Sequence, residues 1–214
     1  MSADRRHRPN TGAATAVDMA ATLPLRDSAV FFRAVRRITG PLDQVQVDII
    51  NAIVARAATW RLSWVAYALA TAWHEARFVP QAEWGRGKGR PYAVAGKHGQ
   101  PQYGRGLVQL TWDRNYEWAD KALGLGGALL ANFDKALEPA IAVQVLLTGM
   151  FDGAFARDGR GRPFSLSSCL PSAVGTKEKF TTARQIINGR DKAGQIADLA
   201  LSFQAALVDA GFHG

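Results

Sequence analysis

Residues 61–78, "RLSWVAYALATAWHEARF", hold the longest run of helical apolar spacing beside a pair of polar residues. Leu62, Val65, Ala66, Leu69, Trp73 and Ala76 recur at 3.6-residue spacing, which predicts an amphipathic helix ended by Pro80. With Leu69 set at zero and a step of about 100° per residue, this stripe clusters within about 60°. Glu75 lies about 120° away, outside the stripe, and its neighbours on that side are the small residues Ala68, Thr71 and Ala72. Two readings stay open. Glu75 is either a solvated glutamate at a helix C-terminus, where the macrodipole mildly disfavours it, or a carboxylate with room for a ligand to approach.

The flanking sequence continues the helical pattern. "SAVFFRAVRRITGP" predicts a helix with Ser28 as N-cap and Gly40-Pro41 as its stop, and "LDQVQVDIINAIVARA" predicts a second. After Pro80 the pattern changes. Seven glycines fall between residues 85 and 106, so this stretch is read as a long irregular loop with a small hairpin around "VAGKHGQPQYG". Loops of that length inside a domain are usually functional or disordered. Helical spacing resumes after Thr111, a candidate cap, and again in "LEPAIAVQVLLTGMF", where Pro139 suits a first turn. "RDGRGRP" reads as a surface turn. "TTARQIIN" and "KAGQIADLALSFQAALVDAG" read as closing helices, and Asn188-Gly189 as a C-cap. The fold class is therefore mainly α with one Gly-rich insertion.

A chain of 214 residues with 48% hydrophobic content is long enough for one domain that buries about 70% of its unfolded surface. Residues 1–27 are read as a flexible arm, not a secretory signal, and residues 28–214 as the functional domain. No apolar run approaches the roughly 20 residues of a membrane span, so no stable membrane insertion is expected. The single cysteine, Cys169, excludes an internal disulfide framework. The net charge of +8 favours anionic partners without choosing among nucleic acid, lipid and cell-wall polymer. Residues 84–112 concentrate this charge, with five Lys or Arg and no carboxylate.

Glu83 follows Pro80 and stands on the loop side, away from the helix that carries Glu75. Two carboxylates on separate elements can be driven to different protonation states, one as acid and one as base, with Trp73 and Trp84 supplying apolar surface beside them. The alternative is two unrelated surface glutamates. His74-Glu75 begins a zinc motif, but residue 78 is Phe where the second ligand would stand, so no metal and no cofactor is expected. "GRGKGR" lacks the Ser or Thr of a phosphate loop. The segment "QYGRGLVQLTWDRNY" mixes Tyr103, Arg105, Gln109, Thr111, Trp112, Asn115 and Tyr116. Carbohydrates call for such a mixture, with hydroxyls at ring edges and C–H groups on ring faces. A strand-to-helix transition carrying core aromatics would look the same.

"AWHEA", Glu83 before "GRGKGRPYA", "YGRGLVQLTWDRNY" and "ARQIING" together resemble glycoside hydrolase family 19, which contains plant-type chitinases and many bacteriophage endolysins. The similarity runs from about residue 29 to residue 210, in family order. It implies a lysozyme-like, bilobal helical fold with a Gly-rich loop beside a cleft. It implies Glu75 as general acid, Glu83 as general base and Thr111 as the hydroxyl that helps hold the attacking water. Gln109, Asn115 and Asn188 match cleft positions, with Tyr103, Arg105 and Trp112 as further candidate substrate contacts. The two carboxylates stand closer in sequence than in plant chitinases. The activity implied is inverting hydrolysis of β-1,4 bonds between N-acetylated amino sugars. The basic charge and the absence of a signal favour a peptidoglycan-degrading endolysin, made in a host cytoplasm and acting on the wall after release. A chitinase and a non-catalytic glycan-binding or virion protein are the alternatives. The expected partner is a peptidoglycan or chitin-like glycan, with no nucleic acid, and the protein is expected to be a monomer.

Overall fold

The computed structural model describes residues 23–213, and the mainly α reading holds across them. Among the described residues nine α-helices run in order: α1 (Ser28–Thr39), α2 (Gln44–Arg56), α3 (Leu62–Ala76), α4 (Asp113–Leu123), α5 (Ala128–Ala131), α6 (Pro139–Asp152), α7 (Leu166–Cys169), α8 (Lys177–Ala183) and α9 (Ala193–Asp209). Two short strands, β1 (Gln81–Ala82) and β2 (Arg105–Gly106), pair antiparallel and close the base of the Gly-rich insertion. Most of the proposed arm, residues 1–22, lies outside the described residues. Residues 23–27 are not a free arm: Arg26 and Asp27 donate backbone N–H groups to the Ala210 carbonyl at 2.9 and 3.1 Å, and Pro24 is buried. Asp27, not Ser28, caps α1, accepting from the Val30 N–H at 2.9 Å.

The largest correction concerns α3. The expected stripe is buried, but the rest of the helix is buried with it: ten consecutive residues from Ser63 to Ala72 are enclosed on every side. α3 is the central helix, packed chiefly on α9 and flanked by α2 and α6 within one continuous hydrophobic cluster. The small residues Ala68, Thr71 and Ala72 were expected to leave room for a ligand, but they are closed in by protein. Small side chains at those positions let neighbouring helices approach closely. The N-terminal end of α3 is tied to the segment before α8: Trp64 Nε1 donates to the Leu170 carbonyl, and Ser63 Oγ to that of Ser172, both at 2.7 Å.

α3 ends before Pro80 is reached. Arg77 and Phe78 both adopt left-handed backbone (φ 52° and 59°), and the Phe78 N–H returns to the Ala72 carbonyl. Each such residue costs an L-amino acid about 1–2 kcal/mol. Phe78 is fully buried between Trp73 and Phe203, and that burial contributes about 1.5–3 kcal/mol in return. The chain therefore turns sharply just after Glu75. Trp73 lies against Phe78 with the Arg77 guanidinium 4.5 Å above its ring. Trp84 is 97% exposed, so it does not form the apolar wall that was expected beside Glu83.

The Gly-rich stretch is irregular but specified. The expected hairpin is present as a bridge between Ala95 and Pro101, turned by Gly96 and Gly99. Gln100 pins it to the body, donating to the Leu130 carbonyl and accepting from the Phe133 N–H. Thr111 does not cap α4. Trp112 occupies that position with φ 73° and no side-chain bond, while the Asp113 N–H reaches Gln102 Oε1 at 3.0 Å.

Candidate active site

Glu75 sits where the central helix emerges from the core. Its side chain is 18% exposed, and its Oε1 accepts from Arg184 Nη1 at 2.6 Å. Arg184 is 2% exposed and is fixed further by its Nε, which donates to the Asp191 carbonyl at 3.0 Å. A buried guanidinium without an anion would be strongly unfavourable, so the pair holds the C-terminal end of α3 against the turn after α8. Arg184 was read only as part of a sequence block and given no role. A signal for it was present: it lies one turn beyond Phe180, just past the end of α8 and in line with its buried residues, where a lone cation requires a counter-charge.

His74 precedes this pair. Burial, helped by Arg184, Lys192 and Arg77, pushes its imidazole below the ordinary range, against an opposing pull from Glu75. The unfolded chain then takes up this proton at a higher pH than the folded chain does. The contribution to stability is full above about pH 6.5 and is lost as pH falls below it. Melting curves between pH 8 and pH 5 should show wild type losing stability relative to His74→Gln as the pH drops. A constant difference between the two proteins across that range would remove His74 as the cause.

Glu83 is held differently. Its Oε1 accepts from the Tyr92 hydroxyl at 2.8 Å, its Oε2 from the Gly104 N–H at 3.2 Å, and its own N–H donates to the Gly104 carbonyl at 2.7 Å. That bond to Glu83 raises the Tyr92 phenol above its usual range. Gly104 is also where Gln109 and Thr111 meet: a Cβ there would lie 2.7 Å from Gln109 Oε1 and 3.2 Å from Thr111 Oγ1. Three residues named from the sequence, Glu83, Gln109 and Thr111, thus converge on one glycine. The Thr111 hydroxyl donates to the Gln109 carbonyl at 2.7 Å, so toward a water it can only accept. Gln109, with φ 53°, donates to the Gln81 carbonyl at 3.2 Å and stitches the loop onto β1.

Of the other candidates, Arg105 and Tyr103 are buried, Asn115 is used within the loop, and Trp112 and Asn188 stay open to solvent. Arg105 is a correction: it is 3% exposed, bonded to Asp134 at 2.7 Å and to Pro101, Tyr103 and Tyr116 at 3.0 Å, with the Tyr103 ring 3.6 Å below its guanidinium. Every direction in which it could meet a sugar is occupied by protein. Tyr103 is likewise 6% exposed beneath it, and Tyr116, stacked on Phe133 at 3.9 Å, has its phenol pushed up to about 12 by burial. Asn115 donates to the Thr111 carbonyl at 2.7 Å and so props the loop. Trp112 remains 39% exposed, edge-on to Tyr92 at 5.5 Å. Asn188 is exposed after the 184–186 turn, with Gly189 left-handed as a C-cap reading requires.

Gly87 shows how tightly this arrangement is set. With φ 68°, it packs so closely that a Cβ would lie 2.7 Å from the Tyr92 ring and 3.3 Å from Tyr103 Cβ. Gly87→Ala should displace Tyr92 from Glu83 and lower Tm by about 2–8 °C, from a penalty of about 1–2 kcal/mol. Crystallography or NMR of the variant checks this, and an unmoved Tyr92 hydroxyl would refute it.

No family model and no curated protein matches the chain. Among solved structures it is similar to a bacterial family 19 chitinase, at 19% identity and TM-score 0.46, covering 94% of this chain and 96% of that one. It is similar to chitinase C from Streptomyces griseus at 19% identity and TM-score 0.46, covering 97% and 86%. A mutant of a chitinase C aligns at 18% identity and TM-score 0.46, covering 95% and 80%.

Proposed function

We propose that this chain is a glycoside hydrolase that cuts the β-1,4 bond between N-acetylated amino sugars with inversion, and that peptidoglycan is its polymer. The observation that supports it is the unlike fixation of two carboxylates, Glu75 on a buried guanidinium and Glu83 among a phenol, a backbone N–H and the Thr111 loop. In this reading Glu75, the anion on Arg184 in the free enzyme, receives a proton on Oε2 with the incoming substrate and passes it to the leaving oxygen; Oε2 makes no hydrogen bond among the described residues. Arg184 then faces a carboxylate that gains charge as the bond breaks, so its attraction grows along the reaction coordinate. Glu83 accepts two hydrogen bonds, as an anion does, and removes a proton from water whose position Thr111 helps set. Inversion requires the two carboxyl groups to stand about 6.5–9.5 Å apart.

The biological setting proposed is an endolysin, acting as a monomer, made in the cytoplasm of a bacterial host and released to the wall. Net charge supports an anionic wall over neutral chitin. Turbidity loss of outer-membrane-permeabilised Gram-negative cells tests the reading. Wild type should clear them and Glu75→Gln should not. Equal clearing by both would remove Glu75 from the chemistry.

A further inference from the structure

We infer that the loop at residues 84–90, "WGRGKGR", is a recognition edge for the carboxylates of the peptide-bearing glycan strand, an inference that rests on the glycosidase reading above. The loop begins at the residue after Glu83 and is built from consecutive turns: Arg86 N–H to the Glu83 carbonyl, Lys88 to Gly85, and Arg90 to Gly87, at 2.8, 3.0 and 2.8 Å. Arg86, Lys88 and Arg90 are all exposed, and none forms an ion pair among the described residues. No acidic residue occurs between positions 84 and 112, so within the loop itself no carboxylate offsets the three cations.

Two further observations point to a ligand. Trp84 is 97% exposed, and an indole left in water beside a catalytic carboxylate offers a flat face to the C–H side of a sugar ring. Arg86 adopts left-handed backbone (φ 50°, ψ 41°) between two glycines that adopt it freely. Glycine would suit that position better for folding, so the fold gives no reason for a strained arginine there. The close packing of Gly87 on Tyr92 fixes the edge relative to Glu83. A neutral chitin strand has no group for three cations. A peptidoglycan strand carries carboxylates along its stems, and charge complementarity selects it.

The test uses Gram-negative sacculi, which lack teichoic phosphates, before and after carbodiimide amidation of their carboxylates, alongside a neutral chitin hexamer. The Arg86→Gln, Lys88→Gln, Arg90→Gln triple variant should raise KM on native sacculi about tenfold with kcat nearly unchanged. It should match wild type on amidated sacculi and on the hexamer, and its KM should lose most of its salt dependence. Trp84→Ala should weaken all three substrates, because stacking ignores charge. Unchanged KM on native sacculi, or equal losses on charged and neutral substrates, would overturn the inference. Should wild type cleave nothing, the glycosidase reading fails by itself. Cosedimentation with native and amidated sacculi then decides the loop: amidation that fails to weaken wild-type binding counts against it.

Discussion

Glu75→Gln should lower turnover about 10²–10⁴-fold, the range that a positioned acid contributes. The change is nearly isosteric, and glutamine still offers an oxygen to Arg184, so the fold should persist. It does leave the buried guanidinium without a counter-charge. The expected destabilisation is about 1–3 kcal/mol, or roughly 2–12 °C in Tm for a chain of this size. Activity should therefore be measured well below the variant's melting temperature, with circular dichroism confirming native helix content. Loss of activity without loss of helix assigns the effect to chemistry. Substrates with an activated leaving group need less protonation, so their cleavage should fall much less than that of sugar oligomers. A uniform fall on both kinds of substrate would mean that Glu75 holds the site together and does not donate a proton.

Glu83→Ala should cost a similar factor, about 10²–10⁴-fold, but with a different signature. It removes the acceptor for the Tyr92 hydroxyl and the Gly104 N–H, and it leaves space where a small anion can stand. Added azide or formate should restore part of the lost rate by replacing the missing base. The same additions should not restore Glu75→Ala on unactivated sugars, because an anion cannot supply the missing proton. If neither anion rescues Glu83→Ala while Glu83→Gln retains near wild-type turnover, Glu83 is not the base. The shorter sequence spacing of the two carboxylates makes this a test that Glu83 has to pass.

Helix positions were legible because apolar periodicity reports burial directly, and α1, α2, α3, α6 and α9 lie close to where that periodicity puts them. What periodicity cannot report is how many sides of a helix are covered. In α3 the face opposite the stripe carries Trp64 and Tyr67 beside Ser63, Ala68 and Thr71, side chains with a polar atom or little bulk that pack as readily as they meet water, so a central helix looked amphipathic. The end of α3 was misplaced for a related reason: the turn at Arg77 and Phe78 is driven by burial of Phe78 against a distant helix, and a local reading sees only Pro80.

In the site, Glu83, Gln109 and Thr111 were nameable one by one from the motifs they stand in, whereas their meeting at Gly104 depends on how the loop folds back and has no local signal. Arg105 was misread because a cation beside aromatics looks alike whether it meets sugar or Asp134 and three buried oxygens. Arg184 lies 109 positions from its partner, beyond the reach of spacing arguments.

Proton NMR of the first product released from a defined β-1,4 oligomer of N-acetylated sugars, recorded before mutarotation, examines the two-carboxylate chemistry itself. Mass spectrometry of the same digest identifies the new reducing end. An α anomer at a newly formed reducing sugar, absent with Glu75→Gln, is the outcome that protonation by Glu75 and water activation by Glu83 require. A β anomer, an anhydro end or no new end at all would contradict it.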